Sequence, residues 1–203
     1  ALQRNPALRQ TLIERATPDD PAAFIHSSGT TGRPKGVVLS HRNILSGVAN
    51  AHRAKAFDFG EEVLAYLPMA WVGDFAFTVG AGIALHFIIN VPESPETVLH
   101  DLREIAPTVY FNVPTGFEAI ANAMKTDDQL RKTLLSRVQM FFYAGAALAQ
   151  PIWDSLYESQ EREIGERIVM GTGLGMTESG PFGIFVTNPF VHAGDLGVPT
   201  PGL

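Results

Sequence analysis

The sequence predicts an α/β fold, with mostly parallel β-sheet layers flanked by helices. Short runs rich in β-branched and aromatic residues alternate with amphipathic segments, the pattern that builds a parallel sheet covered on both faces. The chain has 203 residues, 45% of them hydrophobic and 18% charged, which is enough for one sizeable core. No internal repeat or low-complexity segment interrupts the alternation.

Taken in order, residues 1–20 read as a short helix and a polar approach, closed by Pro21. Ala22–Ile25 and Val37–Leu39 read as strands around a polar loop. Asn43 to Phe57 reads as a helix with Ile44, Val48 and Ala51 on one face. Glu62–Leu67 is a strand, Trp71–Leu85 a buried helix and His86–Val91 a strand. Ser94 is the expected N-cap of a helix opened by Pro95 and ended by Pro107. Thr108–Val113 is a strand, followed by helices at Pro114–Met124 and Thr126–Arg137. Val138–Tyr143, Arg167–Met170 and Ile184–Val186 are strands, with a helix at Gln150–Gln160.

Composition excludes several classes. The net charge of −6 argues against nucleic-acid binding, which wants a basic face. There are no cysteines, hence no disulfide, thiolate metal site or nucleophilic thiol. This fits a cytoplasmic protein, and residues 1–20 are too polar for a signal peptide. Phe75–Pro92 has no formal charge and nearly the length of a membrane span, but Gly80, Gly82, His86 and Asn90 fit a buried helix running into a strand better. No integral membrane segment is expected. The six histidines show no metal-ligand spacing.

The densest chemistry lies in His26-Ser27-Ser28-Gly29-Thr30-Thr31-Gly32-Arg33-Pro34-Lys35-Gly36. Glycines let backbone N–H groups converge, hydroxyls add donors and Lys/Arg add charge, so a polyphosphate is the natural guest. The alternative is a polar surface turn. A Walker A loop follows its second glycine with Lys and then Ser or Thr; here Lys35 is followed by Gly36. The Rossmann glycine pattern is also missing.

Further segments follow in order: Tyr66-Leu67-Pro68-Met69-Ala70-Trp71-Val72-Gly73, Tyr143-Ala144-Gly145-Ala146-Ala147-Leu148, Gly173-Leu174-Gly175-Met176-Thr177-Glu178 and Gly197-Val198-Pro199-Thr200-Pro201-Gly202. Together with the polar loop they resemble the phosphate loop, acyl-pocket motif, adenine-side loop, Tyr-Gly-x-Thr-Glu motif and following turn of the adenylate-forming superfamily. The resemblance implies a partial N-terminal domain of an adenylate-forming enzyme over residues 1–203. The family's earlier large-domain part, its ribose-binding Asp motif and its small C-terminal domain are not represented.

By this resemblance, Ser27, Ser28, Gly29, Thr30, Thr31, Gly32 and Lys35 would contact the β- and γ-phosphates of ATP. Gly145, Ala146 and Ala147 would approach adenine, beside Gly173, Leu174 and Gly175. Thr177 would bind the α-phosphate and Glu178 would hold Mg2+. Trp71, Val72 and Gly73 would border the acid. Leu174 stands where the family commonly has Tyr, so it can pack but not stack. Trp71 stands where many relatives have His, and cannot supply a switchable charge. Asp74 has no role in this scheme.

The implied activity is that of an ATP-dependent carboxylic acid–CoA ligase, with ATP, Mg2+, a small carboxylic acid and coenzyme A as cofactors and partners. Glu104–Pro114, Phe142–Leu148 and Gly165–Met170 resemble feruloyl-CoA synthetases, while Leu67–Trp71 and Pro92–Val98 resemble long-chain fatty acyl-CoA synthetases. The second half favours an aryl acid and the acyl-pocket motif an alkyl one; the resemblance leans to a feruloyl- or aryl-type ligase, with a fatty acid kept open. The alternative from another class is a noncatalytic nucleotide-binding module. A kinase-like phosphotransferase lacks its second acidic metal cluster.

Overall fold

The computed structural model describes residues 7–27, 29, 32–186 and 192–202. Helix α1 (Leu8–Arg15) leads to an antiparallel hairpin of β1 (Pro21–Ser27) and β2 (Lys35–Ser40). Helix α2 (His41–Arg53) follows directly. β3 (Glu62–Leu64) then pairs in parallel with β4 (Ile88–Asn90). Between them run α3 (Val72–Asp74), a π-helical stretch (Phe75–Gly80) and α4 (Ala81–Leu85). A short 3-10 turn (Pro95–Thr97) and α5 (Val98–Asp101) lead into β5 (Val109–Asn112). Next come α6 (Pro114–Ala123), α7 (Asp128–Leu135), β6 (Met140–Tyr143), α8 (Gln150–Ile164) and β7 (Val169–Leu174). β8 (Ile184–Val186) and β9 (Val198–Pro199) complete a five-stranded sheet in the order β5-β6-β7-β8-β9.

The parallel ladders β5-β6-β7 and β3-β4 carry the centre, as the alternating sequence predicts. The hairpin and the β7-β8-β9 end are antiparallel, so the fold is mixed α/β. Thr108 links the two parallel units. Its N–H donates to the Glu62 carbonyl, and its own carbonyl accepts from the Gln139 N–H, both at 2.8 Å.

Strand periodicity divides the core. Val109 and Phe111 of β5, with Met140 and Phe142 of β6, face α2 and the 72–85 helix. Tyr110, Phe141 and Tyr143 face α6, α7 and α8. All four residues of β5 and all four of β6 are buried, which is why Val109–Phe111 and Met140–Tyr143 read as apolar runs.

Caps set the helix ends that periodicity misplaces. α2 begins at His41 rather than Asn43, because the Asn43 N–H donates to Ser40 Oγ (3.2 Å) and the Ser40 N–H to Asn43 Oδ1 (2.9 Å). α7 begins at Asp128 rather than Thr126, because the Asp127 carboxylate accepts the Leu130 N–H at 2.9 Å. α8 outruns its expected end at Gln160 and stops at left-handed Gly165. Ser94 stands at the N-cap of a 3-10 turn, not of a long helix. Among the described residues no helix is long and apolar enough to cross a membrane.

The expected buried helix over 71–85 runs without a gap from Val72 to Leu85, but its middle is π-helical, and Asp74 sits at the entry to that stretch, only 2% exposed. Thr78 Oγ1 donates to Asp74 Oδ1 at 3.2 Å, while Oδ2 has no hydrogen-bond partner. Burial pushes the Asp74 carboxyl up to about 6, against the Thr78 hydrogen bond, which pulls it down. The unfolded group titrates near 3.8, so between about pH 4 and 6 the folded protein keeps a proton the unfolded chain has lost. Stability therefore falls as pH rises through that window, and the full cost is present above it.

At about 1.4 kcal/mol per pKa unit, the stability difference between the Asp74→Asn variant and the parent should move by about 2 kcal/mol in the variant's favour between pH 4 and pH 7.5. Urea denaturation of both proteins across that range measures it; a difference independent of pH would rule out the buried-charge account.

Candidate functional site

The polar run is shaped by its hairpin. Ser27 pairs with Lys35 and His26 with Gly36, so these four are strand residues and the connecting loop is shorter than the run itself. Lys35 and Gly32 are exposed, and Gly29 adopts a φ of 65°. The expected phosphate ligands Ser28, Thr30 and Thr31 lie outside the described residues. Ser27 Oγ donates to Glu178 Oε1 at 3.4 Å, which joins the loop to a segment 151 positions later.

That segment leaves the end of β7. Because β6 and β7 are parallel, with Tyr143 opposite Thr172, the Gly145-Ala146-Ala147 loop and the Leu174-Gly175 turn emerge at the same C-terminal edge. Ligands of open α/β sheets bind at that edge. Gly145, Ala146, Ala147, Leu174, Gly175 and Met176 are all exposed, whereas Gly173 is half-buried in β7. Leu174, 52% exposed, offers apolar surface beside the loop.

Thr177 and Glu178 open a 3-10 turn (Thr177–Ser179), with Thr177 half-buried and Glu178 exposed. Its helix-capping position is Met176, and the Met176 N–H donates to Ser179 Oγ at 3.1 Å. Thr177 is therefore not the cap of its own turn. The turn is pressed tightly into place: a Cβ on Gly175 would fall 1.3 Å from the Pro181 carbonyl oxygen. From below, a Cβ on Gly47 of α2 would meet the Gly180 carbonyl oxygen at 2.7 Å. α2 thus buttresses the turn and also continues directly from β2.

Trp71 closes the other flank. Its ring stacks on Phe111 with centroids 5.6 Å apart and planes at 26°. Its Cζ2 lies 4.0 Å from where a Cβ of Gly145 would stand, and 2.6 Å from the equivalent point on Gly73. Gly73 is thus buried under the indole, while Val72 packs with Ile25, Leu39 and Ile44 in the core. Among the three pocket candidates, Trp71 is the one placed beside the adenine-side loop.

The metal expectation fits the donor set. Among the described residues no cluster of three or more His, Cys, Asp or Glu could hold an ion. Magnesium needs only one or two carboxylates when phosphate oxygens and water fill its shell, so exposed Glu178 beside Ser27 suits a phosphate-bound Mg2+.

Two features have no role in the motif scheme. Tyr66 donates its hydroxyl to the Phe111 carbonyl at 3.0 Å, and Asn112 Nδ2 donates to Tyr110 Oη at 2.6 Å. Burial drives the Tyr66 phenol far above its ordinary range and that of Tyr110 to about 12, so both stay neutral, Tyr66 as a donor and Tyr110 as an acceptor. Asp74 is the other. Its sequence signal is a lone acid inside an apolar helical run.

The sequence profile of the AMP-binding enzyme family matches residues 2–203. Long chain acyl-CoA synthetase 6, peroxisomal, of Arabidopsis thaliana is 34% identical over 68% of this chain and 21% of its own length. 4-coumarate–CoA ligase 2 of Oryza sativa subsp. japonica is 31% identical over 81% of this chain and 28% of its own. Among solved structures, a malonyl-CoA ligase ternary product complex with methylmalonyl-CoA and AMP bound superposes with a TM-score of 0.74, at 26% identity over 93% of this chain and 40% of that one. The chain therefore spans about a quarter of the length of these curated relatives. With the ordered motifs converging on one sheet edge, the chain belongs to the AMP-binding enzyme family.

Proposed function

We propose that the chain forms the triphosphate- and acid-facing part of an ATP-dependent carboxylic acid–CoA ligase. The observation that carries this reading is the Ser27–Glu178 contact, which unites the hydroxyl-rich hairpin with the turn at the end of β7. Adenine would lie on the Gly145-Ala146-Ala147 loop and the exposed face of Leu174, with the triphosphate running from Thr177 toward Ser27, Gly29, Gly32 and Lys35. Mg2+ held by Glu178 would neutralise charge on the phosphates.

A carboxylate oxygen of the acid attacks the α-phosphorus, the bond from that phosphorus to the bridging oxygen breaks, and pyrophosphate leaves. The thiol of CoA then attacks the acyl carbon, loses its proton and expels AMP. No step needs a covalent enzyme intermediate, so catalysis rests on positioning and on donors aimed at the phosphates. The Trp71–Phe111 stack supplies an apolar wall beside the reacting carboxylate. That wall suits an apolar acid, in keeping with relatives named for long-chain acyl and for 4-coumarate substrates. Both acid classes belong to the proposal.

Pyrophosphate exchange by the full-length protein, driven by palmitate or by ferulate, tests the reading; exchange with neither, nor with any acid of a broad panel, would sink it. Thr177→Ala should slow exchange by about 10²-fold with little change in stability, since one phosphate donor is lost. Gly175→Ala should act differently. The clash with the Pro181 carbonyl must displace the turn, so exchange and thermal stability should fall together, whereas Gly36→Ala, with open space around it and no left-handed backbone, should spare stability. Melting curves alongside the exchange assay separate the two effects.

A further inference from the structure

Beside the 65–74 segment lies a cavity of about 280 Å³, bordered by Tyr66, Leu67, Met69, Asp74, Thr78 and Glu93. Its walls are largely apolar, and Asp74 contributes a carboxylate that is almost fully buried. Asp74 Oδ2 has no partner, and the neighbouring hydroxyls are already committed. Thr78 gives its proton to Asp74 Oδ1, and Tyr66 gives its own to the Phe111 carbonyl. Glu93, exposed at the rim, adds a second negative charge.

A buried carboxylate without a donor is costly, and a charged donor relieves more of that cost than a neutral one. An alcohol could donate to Oδ2 but would leave the charge in place. An ammonium supplies both, and an apolar stem matches Leu67, Met69 and the Tyr66 ring. We propose that this cavity binds an ammonium group carried on an apolar stem, with Asp74 Oδ2 as its acceptor.

The ammonium has two conceivable sources: the far end of an amino-bearing acid entering past Trp71, or a separate amine. The site itself does not depend on the acid-ligase reading, because binding needs neither ATP nor acid.

Calorimetric titration of the full-length protein with hexylammonium, without nucleotide, tests the proposal, with 1-hexanol as the neutral control. Hexylammonium should bind at least about tenfold more tightly than hexanol, the margin of one charge-assisted hydrogen bond. Asp74→Asn should erase that preference. Met69→Trp, at an exposed position on the rim, should block both ligands. Absence of hexylammonium binding, equal affinity for hexanol, or indifference to Asp74→Asn overturns the proposal. If Asp74→Asn does not fold, the hexanol comparison and Met69→Trp decide alone. Competition between hexylammonium and 6-aminohexanoate in pyrophosphate exchange assigns the ammonium to the acid; exchange unaffected by bound hexylammonium assigns it to a separate amine.

Discussion

Burial of the β5-β6-β7 ladder on both faces is the constraint from which the site follows. Successive residues of β5 and β6 belong alternately to two cores, so the register cannot slip by one position without exchanging every face. That register sets Asn112, Tyr143 and Thr172 abreast. The loops that follow these strands therefore leave the sheet together. The Gly145 loop, the Thr177 turn and the Phe111 side chain under Trp71 are neighbours because three strands are locked, not because their sequences attract one another.

The hairpin is held to this edge by different means. Among the described residues it shares no ladder with the five-stranded sheet. Its tie is α2, which is continuous with β2, is capped by Ser40 and Asn43, and meets the Gly180 carbonyl at Gly47. The Ser27–Glu178 hydrogen bond, at 3.4 Å, is too long to carry much of this load alone. It reports the alignment that α2 imposes. A chain with a net charge of −6 still carries local positive charge at the hairpin, where Arg33 and Lys35 are both exposed, and such a tip is what the proposed polyphosphate would need.

The sheet and most helices were legible because Val109–Phe111 and Met140–Tyr143 are apolar runs and the helices carry a 3.6-residue period. Helix starts were less legible, since they depend on single side chains reaching back, as Asn43 does to Ser40 and Asp127 to Leu130. The antiparallel edge was hidden for another reason: β8 and β9 are three and two residues long, too short for periodicity to give a direction. At the site, the motifs named Ser27, Gly145, Trp71, Thr177 and Glu178 from sequence, and the structure sets Ser27 beside Glu178 and Trp71 beside Gly145. Val72 is buried in the core with Ile25 and Leu39, a placement its motif position did not indicate. Asp74 could not be judged, because its burial and its missing partner are tertiary facts.

The treatment of other buried polar groups makes Asp74 an exception. Arg131 is as deeply placed, yet its guanidinium donates to Glu163 and to the Met124 carbonyl, each at 2.8 Å, and also to Asp128. Thr200 hydrogen-bonds the Phe182 and Gly183 carbonyls. Gln160 leaves its Nε2 without an acceptor, but its Oε1 accepts the Ile168 N–H at 2.7 Å, and a neutral amide costs only about 1–3 kcal/mol when half satisfied. Asp74 combines a charge with an orphaned oxygen, and of the two groups it is the one that borders the cavity beside the acid-facing motif. A leucine at that position would pack against the same walls without the penalty. The fold pairs its deepest arginine completely and leaves this carboxylate half paired, a contrast that packing alone does not require.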